Sequence, residues 1–364
     1  MASASGRPRF RRTLRIIYPL GDSHGGIVLR TERDWSRDIL PNAPEDGGHT
    51  FTFTLESERP FLYVKPCLRI GDEIRFAPGT NKLVLMTEPD ERPIYPHFLS
   101  EPGGRFAPAI AFDSTRLGRA HQIRVYLPPG YSENTLKRYP VLYMQDGQNL
   151  FFPEEAFAAD WQVDRTVGLL DSMNAIDEFV VVGVYSKDRM AEYTKPGYSA
   201  YGESLIDEVK PRIDQEFRTL PGPQRTGVIG SSLGGVVSFF LGWEWPDVFG
   251  GAACLSSTFG HRDDLLERVL AEEKRDARFY LDSGWPEDNY EVTVAMAMAL
   301  VSRGWVYGSD LLHFAFPLAE HDEHAWGLRL HLPLQLFQGS VRNVSHRVQE
   351  AAAAAAHETP PPEL

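Results

Sequence analysis

Arg225-Thr-Gly-Val-Ile-Gly230-Ser231-Ser232-Leu233-Gly234-Gly235 is a short apolar run that passes through G-x-S-x-G into a second apolar stretch, Leu233 to Trp245. Read together, these residues describe a strand, a tight turn and a helix, the elbow that lifts a serine above the edge of a sheet. Gly230 and Gly234 are small because a side chain at either would collide with neighbouring backbone in so tight a reversal. Ser232 then sits at the start of the following helix, whose dipole favours developing negative charge. A plain flexible turn carries the same letters, and the apolar strand before and apolar helix after are what argue against it.

Outward from this stretch the chain alternates strand, loop and helix. Strand candidates are HQIRVYLP, PVLYMQDG, FVVVGVY, RTGVIG, GAACLS, RFYLDSG and LLHFAFP, several of them near-continuous apolar runs suited to a parallel sheet covered on both faces. Helical spacing is clearest in Tyr201 to Phe217, where Leu205, Val209, Ile213 and Phe217 recur every four residues; Leu233 to Trp245, Asp264 to Lys274 and Glu291 to Arg303 read the same way. The pattern predicts a doubly wound, mostly parallel α/β domain over 109–342.

Upstream, TLRIIYPL, GIVLRTE, HTFTFTLE, FLYVKPCLRI and KLVLMTE alternate with period two between Gly, Asp, Pro and Asn clusters. They predict a small all-β sandwich over 13–98, preceded by a flexible N-terminus over 1–12 and joined to the next domain by a Pro- and Gly-rich linker over 99–108. The alanine- and proline-rich segment 343–364 reads as a low-complexity tail. The total of 364 residues agrees with about two domains at roughly 150 residues each.

Lys plus Arg number 37 and Asp plus Glu 50, a net charge of −13 that repels phosphate backbones and anionic membrane surfaces. Nucleic acid and membrane are therefore not expected partners. Two cysteines, Cys67 and Cys254, are too few for a disulfide framework. The basic N-terminal stretch is broken by Arg15 and Pro19 before it forms a signal-peptide core, so the expected location is the cytoplasm.

A serine hydroxyl needs a base and an orienting carboxylate, which in an α/β-hydrolase follow in the order Ser, acid, His. The base candidate is His321 in Ala319-Glu-His321-Asp322-Glu323-His324, just beyond the last strand; His324 falls in the helix that follows. The H-D-E-H spacing is not H-E-x-x-H, and no metal or organic cofactor is implied. The acid lies in the loop after RFYLD: Asp288 and Glu287 are favoured over Asp282, which suits a structural hydrogen-bonding role, and the first two are not separable. Oxyanion donors are expected from the N–H groups of Leu233 and of Gln148, in the turn after PVLYMQDG.

Several motifs carry a resemblance: Val125-Tyr-Leu-Pro-Pro-Gly-Tyr131, Tyr139-Pro-Val-Leu-Tyr-Met-Gln-Asp-Gly-Gln-Asn149, Asp188-Arg189 with Glu192-Tyr193, Ile229-Gly-Ser-Ser-Leu-Gly-Gly235, and His321-Asp-Glu with Trp326. From about Arg124 to Gln338 the chain resembles the putative-esterase family of α/β-hydrolases, which includes enterochelin and feruloyl esterases. The resemblance implies Ser232 as nucleophile, His321 as base, Leu233 and Gln148 as oxyanion donors, and Trp161, Arg189 and Tyr193 as substrate contacts, with a core role for Trp161 an equal alternative. The acid loop, Gly284-Trp-Pro-Glu-Asp288, departs from the Gly-Thr-x-Asp/Glu form of relatives. The N-terminal region is similar to immunoglobulin-like or carbohydrate-binding-like sandwiches, whose open roles are to wall one side of the cleft, bind glycan or mediate homodimerisation.

The expected activity is serine-dependent hydrolysis, through an acyl-enzyme, of a small-molecule ester of siderophore, feruloyl or acyl-sugar type. The alternatives are acyl transfer to a sugar or other alcohol, and a catalytically retired glycan-binding protein.

Overall fold

The structure, a computed structural model, describes residues 10–20, 25–42, 46–87, 93–100 and 102–339. Most of the expected flexible N-terminus, residue 101 of the expected linker and the low-complexity tail 343–364 lie outside the described residues. The rest divides into two compact units. One comprises the described residues of Met1–Phe106 with Tyr126–Arg138 and Asp171–Asn174; the other comprises those of Ala107–Val125, Tyr139–Leu170 and Ala175–Leu364.

The first unit is all-β. Phe10–Ile17 (β1) pairs antiparallel with Thr50–Ser57 (β4), setting Leu14 opposite Phe53 and Ile16 opposite Phe51. A second antiparallel sheet holds Gly25–Thr31 (β2), Asp34–Ile39 (β3), Phe61–Ile70 (β5) and Glu73–Phe76 (β6) in the order β3-β2-β5-β6, with Lys82–Leu85 (β7) also on β5. Alternation sends Phe51, Phe53 and Leu55 inward, and Ile27, Leu29, Leu62 and Val64 join them in one core. Strands β3 and β6 escaped the sequence reading because DWSRDI and EIRF are short and almost wholly exposed, as edge strands tend to be. Two boundaries shift: Phe10–Arg12 belong to a strand and not to a flexible N-terminus, and Arg105–Phe106 (β8), inside the expected linker, pairs with Tyr126–Leu127.

In the second unit, Ile110–Ser114 (β9) and Arg119–Leu127 (β10) form an antiparallel ribbon. Beyond β10 the sheet continues through Val180–Val184 (β12), Val141–Gln145 (β11), Thr226–Ser231 (β13), Gly251–Leu255 (β14), Arg278–Trp285 (β15) and Leu311–Pro317 (β16). The pairings from β12 to β16 are all parallel, and β11 to β14 are buried along their whole length. This is why those strands read as unbroken apolar runs.

Helices fill the connections: Val163–Ser172 (α1), Arg189–Glu192 (α2), Gly197–Ser204 (α3), Lys210–Glu216 (α4), Leu233–Glu244 (α5), Leu265–Ala271 (α6), Tyr290–Ser302 (α7), Glu323–Arg329 (α8) and His331–Gln338 (α9). The expected helix Tyr201 to Phe217 is real but not uniform, since Leu205–Val209 forms a wider π turn between α3 and α4. Pro211, which has no N–H to give the turn before it, is the second residue of α4. Leu205, Val209 and Ile213 are buried as their spacing requires.

Phe53 is fully buried in the sandwich core. Phe53→Ala should destabilise the first unit by about 3–5 kcal/mol, read as an earlier transition in urea titrations followed by intrinsic fluorescence.

Candidate active site

Ser232 stands between β13 and α5 with φ 55° and ψ −123°, a left-handed conformation that a non-glycine residue holds only where the surroundings enforce it. Its N–H is bonded to the Leu255 carbonyl at 2.9 Å, and its carbonyl accepts from Gly235 and Val236 as the helix begins. A Cβ on Gly230 would lie 2.3 Å from the Gly234 carbonyl oxygen, so no side chain fits there. At Gly234 the obstruction comes from the side chains of Asp146 and Gln145, not from backbone as expected.

The carboxyl ends of the parallel strands bring the other groups to this point, the edge at which open α/β sheets place their ligands. His321, in the loop between β16 and α8, directs Nε2 at Ser232 Oγ, 3.0 Å away, and Nδ1 at Asp288 Oδ1, 2.7 Å away. Asp288 lies between β15 and α7 with its side chain wholly buried, while that of His321 is about one-third exposed. Neither of the other two candidate carboxylates makes this contact. Glu287 is exposed with φ 63°, so it is corrected from candidate acid to loop residue. Asp282 is buried and bound to Arg329 Nε at 3.0 Å and to the Tyr280 hydroxyl at 2.7 Å. His324 is exposed on α8.

Asp288 is satisfied on both oxygens. Oδ1 accepts from His321 and from the Asn289 N–H at 2.7 Å; Oδ2 accepts from the Gly284 N–H at 2.6 Å and from Ser256 Oγ at 2.5 Å. Burial by itself pushes this carboxyl up, but the hydrogen bonds outweigh it and hold the group down at about 2. An ionised carboxylate only accepts, so the proton on His321 resides on Nδ1 and leaves Nε2 as an acceptor facing the serine. For Asp282, burial raises the carboxyl to about 6, with Arg329 and Tyr280 opposing a larger rise.

Leu233 is the first residue of α5, so its N–H has no acceptor within the helix. Gln148 lies in a single 3-10 turn after β11, entered through Asp146 in a left-handed conformation. Its side chain is tied to Ser186, which donates to Asp146 Oδ1 at 2.7 Å; Arg189 Nε lies 3.1 Å from the same oxygen. Burial raises the Asp146 carboxyl, against the pull of Arg189 and Ser186.

Beside Leu233 opens a cleft of about 950 Å³ whose lining includes Phe157, Lys187, Arg189, Met190, Arg119 and Glu192. Of the three expected substrate contacts only Arg189 lines it. Tyr193 is fully buried, its hydroxyl receiving the Asp146 N–H and its ring edge-on to Tyr201. Trp161 is buried against Trp326, which in turn meets the His321 ring edge-on at 5.1 Å. Both act beneath the site, because aromatic rings of this size fill the core more readily than they line an open cleft. Sequence reasoning missed Ser256, Arg329 and Ser186; of these, Ser256 stands directly after β14, at the strand end where open α/β sheets place their ligands. Among the described residues no group of three or more His, Cys, Asp or Glu is placed to hold a metal ion.

A family model described as Putative esterase matches residues 114–330. The chain belongs to that family. This esterase-family chain is 31% identical over 272 residues to an endo-1,4-beta-xylanase/feruloyl esterase of Xylanibacter ruminicola, covering 70% of this chain and 36% of the relative. It is 30% identical over 145 residues to the uncharacterized protein YbbA of Bacillus subtilis, covering 38% of this chain and 57% of the relative. It thus spans between about a third and somewhat over half of the length of the curated relatives it matches.

Similar solved structures include a ferulic acid esterase, at 18% identity and TM-score 0.56 over 65% of this chain and 98% of that one. Another is the Shigella flexneri enterobactin esterase FES in the presence of enterobactin, at 16% identity and TM-score 0.54 over 90% and 93%. At these identities the likeness is one of fold, an α/β esterase fold with an all-β region ahead of it.

The ionised state of Asp288 has a measurable consequence. Its folded value lies below the unfolded one, so its stabilisation is present above the unfolded value and is lost as pH falls through the folded one. Wild type should exceed Asp288→Asn in unfolding free energy by about 2 kcal/mol at pH 6, and the gap should close between about pH 4 and pH 2 in denaturant titrations.

Proposed function

We propose that this chain is a serine carboxylic ester hydrolase that works through an acyl-enzyme on a small-molecule ester. The observation that carries the reading is the unbroken hydrogen-bonded line from Ser232 Oγ through His321 to the buried, ionised Asp288. Ser232 Oγ attacks the ester carbonyl carbon while its proton passes to His321 Nε2. The oxyanion that forms faces the N–H groups of Leu233 and Gln148, and Asp288 stabilises the transient imidazolium. His321 then protonates the leaving alcohol, and a water deprotonated by the same Nε2 releases the acid and regenerates Ser232.

The cleft supports a small substrate. Its volume of about 950 Å³ is at the upper end for single-ligand sites, and Phe157, 82% exposed, together with Met190 provides apolar surface near Lys187 and Arg189. These features suit an ester of siderophore, feruloyl or acyl-sugar type, classes that include the substrates named for the similar esterases.

Ser232→Ala and His321→Ala should each lower kcat/KM on a simple aryl ester by at least about 10³-fold, and both should lose fluorophosphonate labelling of position 232, the first because the hydroxyl is gone and the second because nothing takes its proton. Retention of turnover by a folded Ser232→Ala protein would overturn the reading. His324→Ala, altering an exposed side chain on α8, is expected to stay within about two-fold of wild type. A kinetic panel of an enterobactin-type trilactone, methyl ferulate and a short acyl sugar, each with and without added alcohol acceptor, identifies the ester class and measures any acyl transfer.

A further inference from the structure

Ser256 is fully buried directly after β14, in a left-handed backbone conformation with φ 45°. That conformation is held from both sides: its N–H donates to the Asp282 carbonyl at 2.7 Å, and its carbonyl accepts from Asn289 Nδ2 at 2.7 Å. Its hydroxyl oxygen receives Trp326 Nε1–H at 3.0 Å and Arg329 Nη2–H at 2.6 Å, and Asp288 Oδ2 lies 2.5 Å away. Indole N–H and guanidinium are donors only, so together they occupy both lone pairs of the hydroxyl. Its proton has one direction left, toward Asp288.

We propose that Ser256 is a positioning residue: pinned by Trp326 and Arg329 from α8, it holds the Asp288 carboxylate in the orientation that keeps the His321 proton on Nδ1 and leaves Nε2 open to Ser232. It also keeps Arg329 occupied. Arg329 Nη2, which also lies 3.0 Å from Asp282 Oδ1, stands 3.9 Å from Asp288 Oδ2, and without the Ser256 oxygen it would shift toward that second carboxylate and compete with His321 for it. The role is separable from packing, because Ser256→Ala replaces only the hydroxyl by hydrogen while Ser256→Cys keeps the shape of the side chain. The kinetic consequence rests on the esterase reading above; the proton arrangement does not.

The test uses the full-length protein and proton NMR. The downfield resonance of His321 Nδ1–H, assigned by its loss in His321→Ala, should persist in Ser232→Ala and move upfield in Ser256→Ala. On an aryl ester, Ser256→Ala should lower kcat about ten-fold with KM nearly constant, and the acid limb of kcat/KM should move to lower pH as the imidazolium loses its partner. Ser256→Cys, which restores a weak donor, should fall between the two and serves if the alanine variant does not fold. An unmoved resonance with an unmoved or raised acid limb in a folded Ser256→Ala or Ser256→Cys protein overturns the proposal. Wild-type turnover by Ser232→Ala would instead sink the esterase reading, leaving the resonance shift alone to decide for or against Ser256.

Discussion

The second unit of this molecule is organised by one steric constraint, the contact between Gly230 and the Gly234 carbonyl where β13 turns into α5. A side-chain carbon at Gly230 would stand 2.3 Å from that oxygen, so the reversal exists only because glycine is there. From it follow the positive φ of Ser232, the placement of its hydroxyl above the sheet edge and the presentation of the Leu233 N–H at the first turn of α5. A looser turn would let Ser232 relax to an ordinary conformation, and the 3.0 Å approach of His321 Nε2 would have no fixed target.

Around that elbow, burial of charge is handled by giving each carboxylate its own donors. Asp288 is surrounded by hydrogen-bond donors and stays ionised in spite of its burial, whereas burial pushes Asp282 up to about 6 against the pull of the Arg329 guanidinium. The two sit on the same stretch of chain yet do different work. Asp282 pairs with Arg329 through both Nε and Nη2, the latter also donating to Ser256, and Asp288 addresses His321. A second polar group, Asp146 with Arg189 and Ser186, steadies the turn that carries Gln148. Aromatic packing of Trp161 on Trp326, and of Trp326 on His321, closes the arrangement from below.

Much of this was legible in the residues because local chemistry and long-range structure agree in the second unit. Strands such as PVLYMQ and GAACLS are apolar on both faces since the parallel sheet buries both, and G-x-S-x-G marks the elbow since no other residue fits its tightest point. Legibility failed where a side chain's role depends on distant partners. Trp161 and Tyr193 share motifs with cleft residues but point into the core, and DWSRDI and EIRF are strands only because a neighbour supplies the hydrogen bonds. The π turn at Leu205–Val209 likewise left the four-residue apolar spacing intact, so periodicity alone did not reveal it.

The order of elements, the elbow at Ser232, the histidine after the last strand and the short acidic stretch that follows β15 are properties of the sequence, because each rests on residues adjacent in the chain. The choice among Asp282, Glu287 and Asp288 is not. All three lie within seven residues of one another with similar chemistry, and what separates them is where the β15 loop turns: Glu287 out to solvent, Asp282 down onto Arg329, and Asp288 across to His321. That selection, like the direction of the Ser256 proton, depends on groups brought together from four separate loops and on α8, and only the folded chain brings them within hydrogen-bonding distance.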